Sequence, residues 1–415
     1  MMKVLLKSAL IHDPTSPLHG KKRDVLLQGN RLISIAVEIT DAKATVLSGK
    51  GCVVSRGWTD LTARCGEPGA EYKEDFQSLL NAARRGGFTR IGLLPSSVPV
   101  MDTKSAVRYA REHSSAGIDI LPIGALSQKS EGKQLAEMFD MQQAGAVAFS
   151  DDRGAVGTEL LCRSLEYTRN LHSVVMVLPW DRGINGNGQM HEGTVSVSLG
   201  MKGIPSAAEE IRVQRDIELL RYSGGRLHFM LISTARSVEL IRKAKRDGLQ
   251  VTCAVAAHQL LFTDDHLTSF DSNFKVIPPF RSKEDRKALI AGLKDGTIDA
   301  IVSDHCAEDV EHKVREFEDA VFGISSIEAT FCTAFTALEK YMTAEEIIEK
   351  FTSGPEQILG LSPQSISDEK NIPVSVLFTD SNTHFTRENW QSKSKNSPVL
   401  GMTLRGNVGA MGAGH

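Results

Sequence analysis

One pattern constrains this chain more than any other. Across residues 54–366, short runs rich in Val, Ile and Leu alternate with stretches of helical spacing. The strand-like runs are GWTDLTAR, FTRIGLLPSS, IDILPIGALS, AVAFSDD, SVVMVLPWD, RLHFMLIS, LQVTCAVAAH and TIDAIVSDH. Eight β-then-α units is the number that closes a (β/α)8 barrel. An open doubly wound sheet competes less well, because it usually has fewer strands and no G-x-G-x-x-G follows the first run. Punctuation agrees with the helices between. STARSVELIRKAKRDG opens on a Ser/Thr cap and closes on Gly, and AAEEIRVQRDIELLRYSGG ends in a Gly pair.

The two ends have a different texture. KVLLKSALIHD, RDVLLQGNRLISIAV and ATVLSGKGCVV read as short strands, with Gly29-Asn30 as a hairpin turn. NIPVSVLFTD is strand-like, and SPVLGMTLRGNVGAMG is turn-rich. We therefore expect residues 1–53 plus 367–415 to form one composite β domain, a small β-sandwich, beside a barrel over 54–366.

Composition narrows the function classes. Forty-eight basic against 51 acidic side chains give a net charge of -3. That leaves no basic stripe for nucleic acid. No apolar run is long enough to span a membrane, and MMKVLLKSALIHDP meets charge and proline too early for a signal core. Six scattered cysteines (Cys52, Cys65, Cys162, Cys253, Cys306, Cys332) have no C-x-x-C pairing. They read as reduced thiols of a cytoplasmic protein.

Barrels of this kind carry their chemistry where strands end and βα loops begin. Those ends read Asp60-Leu61-Thr62-Ala63-Arg64-Cys65-Gly66, Leu94-Pro95-Ser96-Ser97, Ser150-Asp151-Asp152, Leu178-Pro179-Trp180, Leu231-Ile232-Ser233, Ala257-His258 and Ser303-Asp304-His305-Cys306-Ala307-Glu308. With EPGAEYKEDF, GGFT, AFSDD, MHEGTVS, GIPSAAEE, STARSVELI, NFKVIPPFRS and DGTIDAIVSDH, they make the chain resemble the dihydroorotase branch of the amidohydrolase superfamily over nearly its whole length. The resemblance implies an amidohydrolase-type barrel with a β domain from both termini, a place in pyrimidine biosynthesis and a binuclear metal centre.

The ligands implied for that centre are mostly missing. A His-x-His pair is implied where Thr62 and Arg64 stand, and histidines where Leu178 and Leu231 stand. The implied bridging carboxylate matches Asp151, and the catalytic aspartate matches Asp304. Leucine has no lone pair to offer, and arginine is always cationic. Substrate positions are also changed. Gly66 replaces a carboxylate-clamping arginine, Ser96 and Ile277 replace asparagines, and Glu308 replaces a histidine. An anionic Glu308 is expected to repel a substrate carboxylate.

We therefore expect Asp304 to be a vestige paired with Arg64 rather than a base. Asp151 and Asp152, with Asp304, are a weaker candidate for one hard cation. His258 and His305 are expected in hydrogen-bonded structural roles, His228 in the core and His191 in a loop. Cys65 and Cys306 beside Arg64 and His305 are candidate nucleophiles, but buried thiols are the commoner outcome.

The pattern of loss resembles inactive, metal-free dihydroorotase-like chains that support aspartate carbamoyltransferase. That implies no cofactor, this partner and a homodimer. The alternative is an active cyclic-amide hydrolase of dihydroorotase, hydantoinase or allantoinase type with a remodelled site and two zinc ions. A third reading keeps the barrel mouth as the ligand pocket of a sensor.

Overall fold

A computed structural model describes residues 3–48, 50–115, 117–367 and 371–409. The extreme termini of the expected β domain, residues 49 and 368–370, and the Ala410-Met411-Gly412 end of the turn-rich segment lie outside the described residues.

All eight strand-like runs form strands of one parallel sheet: Trp58–Ala63, Phe88–Leu93, Asp119–Gly124, Ala148–Phe149, Val175–Val177, Leu227–Phe229, Val251–Ala256 and Ala300–Val302, adjacent in chain order. At its seam the Arg64 amide donates to His305 O at 3.0 Å, and the Ser303 amide donates to Asp60 Oδ1 at 2.7 Å. The first and eighth strands thus meet, and the sheet is a nearly closed barrel. The second strand is buried at every position. Parallel strands covered on both faces read in this way as apolar runs.

Local chemistry sets the helix boundaries. Thr234 caps Ala235–Arg246, and Gly248 follows at φ +82°. Asp75 and Ser282 cap Phe76–Arg85 and Lys283–Lys294. Ala207–Ser223 ends at Gly224 and Gly225, both at positive φ. The barrel interior is filled by Leu61, Ile123, Met176, Met230, Ala254 and Val302. A second core lies under the first strand, where Trp58 stacks on Phe331 at 4.1 Å beside Phe88 and Phe351.

Both termini build a small β-sandwich. Its hydrogen-bonded order is Thr403–Val408, Val374–His384, Cys52–Arg56, Lys3–His12, Lys22–Gln28 and Arg31–Ala36, with Ala44–Ser48 added to Lys3–His12. Lys3–His12 pairs with Ala44–Ser48 along its first half and with Cys52–Arg56 along its second. The register shifts between Leu6 and Ala9, where Ser8 has φ +57°. A bulge of this kind lets one strand serve two layers. The Gly29-Asn30 hairpin forms, with Gln28 opposite Arg31 and Gly29 at φ +63°.

Two boundaries differ from the expectation. The sheet strand Cys52–Arg56 runs past residue 53, because Val374–Phe378 pairs with it up to Arg56. Residues 386–400 belong with the barrel. Trp390 Nε1 donates to Ser325 Oγ at 3.2 Å, and the Ser325 amide donates to Asn396 O at 2.9 Å.

Candidate functional site

The strand ends converge on one buried ionic group. Arg64, next after the first strand, presents Nε and Nη2 to the two carboxylate oxygens of Asp152 at 2.7 and 2.6 Å. Its Nη1 donates to Asp304 Oδ1 at 2.8 Å. Arg64 is 7% exposed, Asp152 7% and Asp304 1%, so this bidentate pair with a third member is shielded from water. Ser96 also donates to Asp152. Burial works against charge on Asp152, but Arg64 outweighs it and holds the carboxyl below its usual range. Burial likewise opposes charge on Arg64, and Asp152 and Asp304 overcome it. The expected pairing of Asp304 with Arg64 is present.

The fourth-strand carboxylate that meets Arg64 is Asp152, whereas the resemblance matched the bridging carboxylate to Asp151. Asp151 turns away and accepts from the Ser127 amide at 2.9 Å and from the Ser127 hydroxyl. The backbone explains the exchange. Asp152 sits at φ +51°, and the reversed curvature swings its side chain toward the mouth. Asp304, at φ +49°, is turned in the same way.

Thr62 is fully buried, and its hydroxyl accepts the Asp304 amide at 2.9 Å. Leu178 and Leu231 are buried in the interior apolar cluster with Met230, and Ile277 packs against it. The donor set present therefore does not fit the two zinc ions that the resemblance implies. Two positions are hydrocarbon, one hydroxyl holds a main-chain amide, and one position carries a fixed cation against both carboxylates. Among the described residues no three His, Cys, Asp or Glu side chains are grouped to hold a metal ion.

The altered substrate positions have local explanations. A Cβ on Gly66 would lie 2.1 Å from Ala70 O, so the first loop closes only over glycine. Ser96 is committed to Asp152. Glu308 was expected to repel anions, but Lys73 lies 2.7 Å from it and neutralises it.

Glu74 ties the mouth to the C-terminal segment. His305 Nδ1 accepts the Ser326 amide at 3.1 Å, so its Nε2 carries the proton and donates to Glu74 at 3.3 Å. Ser392, Ser78 and the Lys393 amide also donate to Glu74. His305 is thus a loop-joining residue, as expected. His258 is not hydrogen-bonded as expected. Both ring nitrogens are buried without a partner among the described residues, the ring stacks edge-on against Phe280, and burial lowers its pKa to about 4. His228 is a core residue, bonded to Thr252 Oγ1 at 2.9 Å and lowered by burial to about 3. His191 accepts from Arg281 at 3.1 Å and is lowered by burial to about 4.

The thiols are poor nucleophiles. Burial pushes Cys65 up to about 12 and raises Cys306 as well. Sequence reasoning missed two contributors: the hub role of Glu74 and the return of residues 386–400 to the mouth. Only Glu74 left a signal, as an acid inside EPGAEYKEDF.

Known proteins agree with this architecture. A family model described as dihydro-orotase-like matches residues 51–237. A dihydroorotase from Syntrophus aciditrophicus is 37% identical over 413 residues, covering 98% of this chain and 97% of that protein. One from Pelotomaculum thermopropionicum is 36% identical over 411 residues, covering 98% and 96%. Among solved structures, an L-hydantoinase (dihydropyrimidinase) from Arthrobacter aurescens superposes with a TM-score of 0.82 at 23% identity, covering 98% of this chain and 94% of that one, a likeness of fold. No helix among the described residues is long and apolar enough to cross a membrane. By sequence along almost its entire length, and by a barrel with a two-termini β-sandwich, this chain belongs to the dihydroorotase family.

Proposed function

We propose that this chain is a catalytically inactive member of the dihydroorotase family, acting in pyrimidine biosynthesis as a structural partner of aspartate carbamoyltransferase. One observation carries the inactive part: a guanidinium, clamped by Asp152 and Asp304, stands where the family's chemistry calls for neutral imidazole ligands. A metal-polarised carbonyl and a metal-activated water both need electron-pair donors at these positions. Without them Asp304 has no activated water to serve and is itself held by Arg64.

The carbamoyltransferase partner rests on the pattern of loss within a scaffold kept along its whole length. The same reading makes the protein cytoplasmic and homodimeric. The full-length similarity to proteins named dihydroorotase favours a second reading, an active cyclic-amide hydrolase with a remodelled site. Three measurements on the purified protein separate the two. The first reading expects no stoichiometric transition metal, no ring opening or closure of dihydroorotate, and co-elution with aspartate carbamoyltransferase on a sizing column. Bound zinc together with turnover would establish the second. Metal-free protein that ignores the carbamoyltransferase would remove the partner while leaving the inactivity in place.

A further inference from the structure

Arg64 turns into the barrel mouth, and the next residue, Cys65, turns to the outer core, as alternate residues of an extended chain do. There Cys65 lines a cavity of about 600 Å³ beside the mouth, a volume within the range of small-molecule pockets. The cavity lies among the first and second βα loops and the helices Phe76–Arg85 and Lys104–Glu112. Its walls are mostly hydrocarbon, from Phe76, Leu93, Leu94, Met101, Ala106 and the Tyr109 ring. The loops are tied together around it. The Val98 amide donates to Pro68 O at 3.0 Å, the Met101 amide to Pro95 O at 3.2 Å and the Ala125 amide to Met101 O at 2.9 Å. The space is thus present in the folded chain before any ligand arrives, which spares a ligand the cost of ordering its walls.

Two carboxylates stand in this apolar setting. Glu67 is held in place, with Oε2 accepting the Phe76 amide at 3.0 Å and Oε1 accepting the Tyr109 hydroxyl at 3.1 Å. Asp102 Oδ2 accepts the Lys129 amide at 2.8 Å. Both residues are half-buried, and neither has a cationic side chain within ion-pairing distance among the described residues. Neighbouring acids are answered within the chain, Asp75 by Lys393 at 2.5 Å and Glu308 by Lys73 at 2.7 Å. The local field is accordingly negative. Burial, the bond to Glu67 and the charge on Glu71 all push the Tyr109 phenol up. Tyr109 packs edge-on against Phe76, with ring centroids 6.1 Å apart. An aromatic ring beside a carboxylate attracts an organic cation, and a hydrocarbon wall takes the uncharged part of the same molecule.

We propose that this cavity binds a small organic cation, an ammonium or amidinium compound with an apolar body. Its charge is taken by Glu67, Asp102 and the Tyr109 ring, and its body lies among Phe76, Leu93 and Met101. Positions 66, 96, 277 and 308, to which the family resemblance assigns substrate contacts, do not line the cavity. The site goes beyond the proposed function and does not depend on it. Turnover of dihydroorotate would overturn the inactivity and leave this site standing. Absence of cation binding would do the reverse.

The test is calorimetric titration of the full chain with phenethylamine and benzamidine. Phenethyl alcohol serves as the neutral analogue and 3-phenylpropanoate as the anionic one. Saturable binding of a cation is expected, with phenethyl alcohol weaker by about tenfold or more and no binding of 3-phenylpropanoate. Added salt should weaken the cation and leave the alcohol unchanged. D102N should weaken the cation by about threefold or more, because it removes one of the two charges. A106F, which fills the cavity from the Lys104–Glu112 helix, should abolish binding. If A106F fails to fold, D102N and the neutral analogue decide. No saturable binding of either cation, equal binding of phenethyl alcohol, or cation binding unchanged in either folded variant overturns the site.

Discussion

The two halves of the barrel mouth are filled in opposite ways. Around the first, fourth and eighth strands the mouth is ionic, with Arg64 gripping Asp152 and Asp304 and Thr62 holding the Asp304 amide. Around the fifth and sixth strands it is hydrocarbon, with Leu178 and Leu231 beside Met230. The contrast shows why two buried carboxylates need a cation between them, here the Arg64 guanidinium. Where imidazoles alone are implied, no charge remains to be balanced, and packing suffices. The two solutions need each other, because apolar side chains beside unpaired Asp152 and Asp304 would deepen the burial of uncompensated charge.

The ionic half should be the more fragile. Arg64→Met leaves two buried carboxylates unpaired, and denaturant unfolding should show a loss of about 3–5 kcal/mol. Replacing Asp152 and Asp304 by Leu in the same molecule should recover much of that loss. Failure to recover would mean that Arg64 acts through packing rather than charge. The apolar half should give way by cavity formation. Leu231→Ala is expected to cost about 2–5 kcal/mol by the same measurement. A negligible cost would show that the interior collapses around the gap.

A pH dependence sharpens the contrast further. Arg64 lowers the folded-state pKa of Asp152 below the ordinary 3.8. The stability it contributes is therefore fully present above 3.8 and lost as pH falls through the lower folded value. The gap in unfolding free energy between wild type and Asp152→Asn should narrow below pH 3.8, while Leu231→Ala should keep a constant gap over that window. A constant gap for both would sink the ion-pair account. The smallest effect belongs to Thr62→Val, which removes the acceptor of one buried amide and should cost about 1–3 kcal/mol.

Much of the fold was legible because its signals are local. Eight apolar runs separated by capped helices prescribe a barrel, and each became a strand. The site was legible in its losses, since a leucine at position 178 or 231 cannot ligate a metal in any fold. Its gains were not legible. Asp151 and Asp152 are chemically identical neighbours, and only the positive φ of Asp152 decides which one faces Arg64. His258 reads as a hydrogen-bonding residue until its surroundings prove to offer no partner.

By itself, then, the sequence determined the barrel, the two-ended β-sandwich and the lack of imidazoles at positions 62, 64, 178 and 231, because side-chain chemistry and hydrophobic period act over a few residues. Only the tertiary structure decided that Arg64 would be shared by Asp152 and Asp304, 88 and 240 residues away. It also decided that residues 386–400 would return to the mouth and that Arg153 Nη1 would donate to Phe322 O, 169 residues on. Such contacts depend on barrel closure and loop curvature, and neither is written in any short stretch of chain.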